Sequence, residues 1–61
     1  MSKYTKKAMM DTFLELLETK SVDKITVKDI VETCGVNRNT FYYYYADIYE
    51  LMEDVLMTQT E

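Results

Sequence analysis

Within the nine-residue run NRNTFYYYY, Asn37, Arg38, Asn39, Thr40, Tyr42 and Tyr43 bring amides, a guanidinium and hydroxyls close together in the chain. Such groups recognise more readily than they react. An asparagine amide can pair bidentately with adenine, an arginine with guanine or phosphate, and a threonine methyl can touch thymine. Covalent chemistry finds little support, because the chain has no histidine, no nucleophile beside a base and no glycine-rich phosphate loop. No catalytic, cofactor-binding or metal-ligating residues are therefore expected, and the chain reads as a non-enzyme.

Helical geometry divides the run into two faces. With Phe41 set at zero and about 100° per residue, Tyr44 falls near about −60° and Tyr45 near about +40°, a single face suited to a core. Tyr42 at about 100°, Asn39 at about 160° and Tyr43 at about 200° point the other way, with Thr40 at the border near about −100°. One short helix thus carries an apolar half that holds it to a domain and a polar half that faces outward.

The elements around this helix fit that arrangement. Val27, Ile30, Val31 and Cys34 fall at i, i+3, i+4 and i+7, which predicts a preceding helix over about 27–34. Thr26 and Asp29 form a capping-box-like start, and Gly35, the only glycine, stands where a helix C-terminus needs a left-handed residue. Cys34 lies on the apolar face and reads as a packed core thiol. Asn37 is a good N-cap for the next helix, over about 37–45. Two short helices joined by a tight glycine-containing turn make a helix-turn-helix, in which the second helix enters the major groove.

Two further helices complete the domain. Met10, Phe13, Leu14 and Leu17, flanked by Met9 and Leu16, predict an amphipathic helix over about 4–20, with Asp11, Glu15 and Glu18 on its solvated face. Asp47 and Glu50 open a fourth helix over about 47–58, whose inner stripe is Ile48, Leu51, Met52 and Val55. Tyr49, Leu56 and Met57 fall off that stripe, leaving this helix apolar on more sides than its neighbours can cover. The expected fold is all-α: a single small domain over residues 1–61 with three to four helices and a homeodomain-like helix-turn-helix.

Composition agrees with a small folded domain. Apolar residues make up 48% of the chain, and at 61 residues it is too short for a second domain. The single cysteine fits a reducing compartment. Charges run throughout residues 1–25, so no signal peptide is read there, and no apolar run reaches the ~20 residues of a membrane span. These features predict a cytoplasmic location and no membrane partner. Net charge is −4, but it is unevenly placed. Residues 1–45 hold seven basic and six acidic residues, a balance of +1, whereas residues 46–61 hold five acids and no base, a balance of −5. The acidity belongs to the last helix, which leaves the rest of the chain able to face a phosphate backbone.

The stretch ITVKDIVETCGVNRNTFYYYYADIYELM, residues 25–52, resembles the N-terminal DNA-binding domain of TetR/AcrR-type transcriptional regulators. Thr26, Val27, Lys28 and Ile30, then Gly35-Val36, then Thr40-Phe41-Tyr42 carry the likeness, and AMMDTFLELLETK before them is compatible with it. FYYYYADIYEL also looks like the branch related to dihydroxyacetone-kinase operon activators. Some positions depart from the family pattern: Ser21 stands where glycine is usual, Val31 where alanine is typical, and Asn39 where glycine is frequent. Ala46, Asp47 and Ile48 replace a proline-serine-lysine in which the lysine contacts phosphate.

The resemblance implies a bacterial transcription regulator that binds double-stranded DNA as a homodimer. It also implies a larger C-terminal domain for a small-molecule effector, absent from these 61 residues. The candidate DNA-contacting residues are Thr26, Lys28, Asn37, Arg38, Asn39, Thr40, Tyr42 and Tyr43. Thr26 and Lys28 are placed to hold the backbone at a helix start, and Lys6 and Lys7 are placed to add contacts. From another class comes the alternative of a protein-interaction module that docks a partner on the acidic, apolar-rich fourth helix.

Overall fold

In the computed structural model, which describes residues 3–59, four α-helices follow one another: α1 over Lys3–Leu16, α2 over Val27–Cys34, α3 over Arg38–Tyr44 and α4 over Ile48–Gln59. A short 3₁₀ turn, Val22–Lys24, lies between α1 and α2. Among the described residues there is no β-strand, and no helix is long and apolar enough to cross a membrane.

The two central helices begin and end as their residues dictate. At the start of α2 the Thr26 hydroxyl accepts the Asp29 amide at 3.1 Å, and the Asp29 carboxylate accepts the Thr26 amide at 3.1 Å, a complete capping box. At its end Gly35 takes φ +84°, and the amides of Gly35 and Val36 both reach the Val31 carbonyl, at 2.9 and 3.1 Å. That left-handed residue reverses the chain within one turn. The Asn37 side chain then caps α3 by accepting the Thr40 amide at 2.9 Å. Asn37 and Tyr45 are thus the caps of α3 rather than its first and last helical residues.

At the start of α4 the Asp47 carboxylate accepts the Glu50 amide at 3.1 Å. The Glu50 carboxylate reaches back one residue further than a capping box requires, to the Ala46 amide at 2.9 Å.

The first helix differs from the expected 4–20 span. It ends at Leu16 because the following amides tighten onto i−3 carbonyls: Glu18 bonds Glu15 at 3.1 Å and Thr19 bonds Leu16 at 3.0 Å. The Thr19 hydroxyl also turns back onto the Leu16 carbonyl at 3.3 Å. Its buried face is rotated as well. Met9 and Phe13 are at its centre, Met10 and Leu14 are half-buried, and Leu17 lies past the helix end and is exposed. Ile25, in the segment before α2, joins the core without having belonged to any periodic stripe.

One core holds these elements together, built from Met9, Phe13, Ile25, Ile30, Val31, Phe41, Tyr45, Leu51 and Val55. Cys34 packs against it, half-buried, as a free thiol. α1 packs against α2 and α4, and α3 lies against α2. The radius of gyration is 10.6 Å, matching the about 10.5 Å expected for a compact chain of this length.

Candidate nucleic-acid interface

Phe41 is fully buried and Tyr45 nearly so, and these two residues clamp α3 to the domain with their rings 5.7 Å apart. Tyr44 is half-buried against the same core. The opposite side of α3 is open: Asn39 is exposed, Tyr42 is 51% exposed and Tyr43 69% exposed. The tyrosine run is therefore split between the two faces of one helix, as the 100° geometry predicts.

The outward tyrosines are not loose. The Tyr42 ring meets Phe41 edge-on at 5.4 Å, and the Tyr43 ring meets Tyr44 edge-on at 5.0 Å. Such contacts restrict the rings while leaving the hydroxyls in solvent. Each hydroxyl can then offer one donor and accept at its lone pairs.

Around this face the other polar residues divide into engaged and free groups. The Asn37 Oδ1 accepts both the Thr40 amide, at 2.9 Å, and the Thr40 hydroxyl, at 3.1 Å. Thr40 therefore spends its hydroxyl proton within the cap, while Asn37 keeps its amide nitrogen available. Among the described residues, Arg38 and Asn39 make no side-chain hydrogen bond or ion pair. Arg38 stands exposed at the first turn of α3, next to Asn39 in the chain.

Thr26 and Lys28 sit together at the first turn of α2, both exposed. The Thr26 oxygen is occupied as an acceptor, but its hydroxyl can still donate to an anion. Lys28 approaches Glu32 only to 4.0 Å, with both side chains 65% exposed, a pairing worth little and easily given up. Asp29 is held below the usual carboxylate value of 3.8, first by the Lys20 ammonium, which bonds it at 2.9 Å, and then by the Thr26 amide. It remains a carboxylate at neutral pH, and its charge is satisfied by Lys20 and the cap.

The family model of bacterial regulatory proteins of the tetR family matches residues 10–55, three quarters of the chain. The chain belongs to this family. It is also 35% identical over 51 residues to YxbF of Bacillus subtilis (strain 168), described as an uncharacterized HTH-type transcriptional regulator. That match takes in 84% of this chain and only 13% of the relative's length. No solved structure matches the chain.

The matched tetR segment contains all of α2, α3 and the turn between them, and so every one of the eight candidate contact residues. Thr26 and Lys28 stand at the cap and first turn of α2, and Asn37, Arg38, Asn39, Thr40, Tyr42 and Tyr43 on α3 and its cap, two helices that pack against each other. Lys6 and Lys7, which precede the matched segment, are not brought to this set. Lys7 pairs with Asp11 at 3.1 Å, and Lys6 lies 3.4 Å from Asp54.

Two features near the site have no counterpart in the periodicity. The Tyr45 hydroxyl donates to Asp54 at 2.6 Å, and burial together with that acceptor pushes its pKa well above 10.0. The Lys20–Asp29 bond likewise links residues nine apart, across a turn. Neither pair has a helical spacing, so no local pattern announces it.

Proposed function

We propose that this chain is a sequence-specific DNA-binding head, with α3 as the recognition helix in the major groove. The observation that carries the reading is the division of α3. Phe41 and Tyr45 anchor it, while Asn39, Tyr42, Tyr43 and the unpaired Arg38 project polar groups into solvent. An α-helix fits the major groove, where each base pair shows a distinct pattern of donors and acceptors. Asn39 suits adenine, Arg38 suits guanine or phosphate, the Thr40 methyl suits thymine, and the two tyrosine hydroxyls reach base edges or phosphates. Thr26, Lys28 and the free amide of Asn37 hold the backbone, aided by the N-terminal dipoles of α2 and α3.

A single head of this kind binds weakly. In the reading proposed here the functional unit is a homodimer in the bacterial cytoplasm, with two heads on two half-sites and an effector-binding domain elsewhere in a longer protein. Linking two heads raises the effective concentration of the second and so the affinity for a paired site.

Selection of duplexes from a random pool at low salt tests the reading. The unmodified chain should enrich a short common sequence. Tyr43→Ala and Arg38→Ala should each weaken binding to it by about tenfold, the loss of roughly one good contact, with helical content unchanged. Full-strength binding by both variants would remove α3 from the interface.

A second reading has its own observation. Tyr49, Leu56 and Met57 are 67%, 59% and 72% exposed on α4, and Met10, Leu14 and Val55 floor a cleft of about 290 Å³ between α1 and α4. On that reading the chain docks a partner protein through α4 and has no DNA affinity even at low salt. Enrichment of a duplex at low salt, lost as salt is raised, separates the two.

A further inference from the structure

Asp54 Oδ2 is a meeting point of three helices. It accepts the Tyr45 hydroxyl at 2.6 Å and lies 3.4 Å from the Lys6 ammonium, which in turn stands 5.8 Å from the centre of the Tyr45 ring. Lys6 comes from α1, Asp54 from α4, and Tyr45 is the residue that closes α3. Tyr45 is also the better buried end of this cluster, at 5% exposure, and its amide still bonds the Phe41 carbonyl at 2.9 Å.

α3 otherwise leans on α2. Its N-terminal end is fixed by the turn at Gly35 and the Asn37 cap, whereas at its C-terminal end the Tyr45 hydroxyl adds a directional polar tie to α4, beside the apolar packing of Phe41 and Tyr44. A phenylalanine at 45 would fill the same apolar space, but apolar contact has no direction. A hydrogen bond does, with a narrow range of distance and angle.

We propose that Tyr45, Asp54 and Lys6 form a polar latch that sets the tilt of α3, making Tyr45 and Asp54 positioning residues for base readout by Asn39 and Tyr43. The inference rests on the reading of α3 as the recognition helix. Neither latch residue touches DNA. Their effect is geometric: Asn39 lies six residues from Tyr45, about 9 Å along the helix, so a tilt of about 10° about Tyr45 moves it by about 1.5 Å. Hydrogen bonds tolerate only about 0.5 Å of spread, so that tilt separates the right base from no contact at all. Lys6 neutralises Asp54, which keeps an acid in the domain interior side of α4 without an uncompensated charge, and it is thereby held away from the phosphates.

The test uses Tyr45→Phe, Asp54→Ala and the conservative Asp54→Asn, whose amide oxygen still accepts the tyrosine hydroxyl. The first measurement needs no DNA. Amide hydrogen exchange at Tyr44 and Tyr45 should speed up about tenfold relative to Ile30 and Val31 in Tyr45→Phe and Asp54→Ala, and return most of the way in Asp54→Asn. An equal change in α2 and α3, or none, overturns the latch.

The second measurement is the ratio of affinities for the duplex selected by the unmodified chain and a scrambled duplex. The ratio should fall about tenfold in Tyr45→Phe and Asp54→Ala and stay near the parent value in Asp54→Asn. Equal losses on both duplexes mean that the residues act on stability alone, which overturns their positioning role. If the unmodified chain selects no duplex, the DNA-binding reading fails, and hydrogen exchange still decides whether the latch exists.

Discussion

Replacing Gly35 by alanine isolates the cost of the turn that joins α2 to α3. At φ +84° an added Cβ meets no atom within 4 Å, so the substitution introduces torsional strain and no clash. Left-handed backbone costs a residue with a Cβ about 1–2 kcal/mol, and the stiffer unfolded chain of the alanine variant returns about 0.4–1 kcal/mol. The net destabilisation is about 1 kcal/mol, out of a total of about 3–9 kcal/mol for a chain of this size. A domain of this length should then melt about 4–8 °C lower. Gly35→Asn should lose less, because asparagine tolerates this conformation. Thermal unfolding followed by far-UV circular dichroism reads both. An alanine variant as stable as the parent would show that residue 35 is not left-handed in solution. A loss above about 3 kcal/mol would show a steric clash that this backbone does not contain.

Other expectations follow from the charges around the site. Because Lys20 and the Thr26 amide hold Asp29 below 3.8, its contribution is fully present above that pH and is lost as pH falls through its lowered folded value. Asp29→Asn should therefore be less stable than the parent near neutral pH, with the gap closing below pH 3.8, as denaturant titrations at both conditions would show; a gap independent of pH would refute the assignment. DNA affinity should fall with salt only shallowly. Lys28 and Arg38 are the cations on the proposed face, and Lys6 and Lys7 are engaged with acids, so the log–log slope should be about −2 per head. A slope of about −3.5 would mean that those lysines leave Asp54 and Asp11 for phosphate.

Local signals in the sequence carry the helix-turn-helix almost whole. Thr26 with Asp29, Gly35, and Asn37 with Thr40 are boundary signals read within three or four residues, and each makes the bond its spacing predicts. The division of the tyrosine run is equally legible, because one buried phenylalanine fixes the phase of a short helix. The first helix is less so. Met9, Met10, Phe13, Leu14, Leu16 and Leu17 cover so wide an arc that periodicity cannot say which residue is central, and tertiary packing selects Met9 and Phe13. The end of α1 depends on a tightening of amides after Leu16 that no glycine or proline announces. Ile25 is buried from a non-helical segment, where no period applies. Contacts such as Tyr45–Asp54 join residues across a turn and become visible only when α3 and α4 are in place. For the site, residue types and face were readable; which of their atoms remain free, as with the Thr40 hydroxyl spent on Asn37, was not.

The central claim is that α3, not α4, is the working surface of this domain. Backbone amide shifts of the isotope-labelled chain, followed while a selected duplex is added at low salt, test it most directly. The account predicts that the large changes fall at Thr26, Lys28 and residues 38–43, with Tyr49, Leu56 and Met57 unmoved. Changes confined to α4, or none at any position with a duplex in excess, would contradict it.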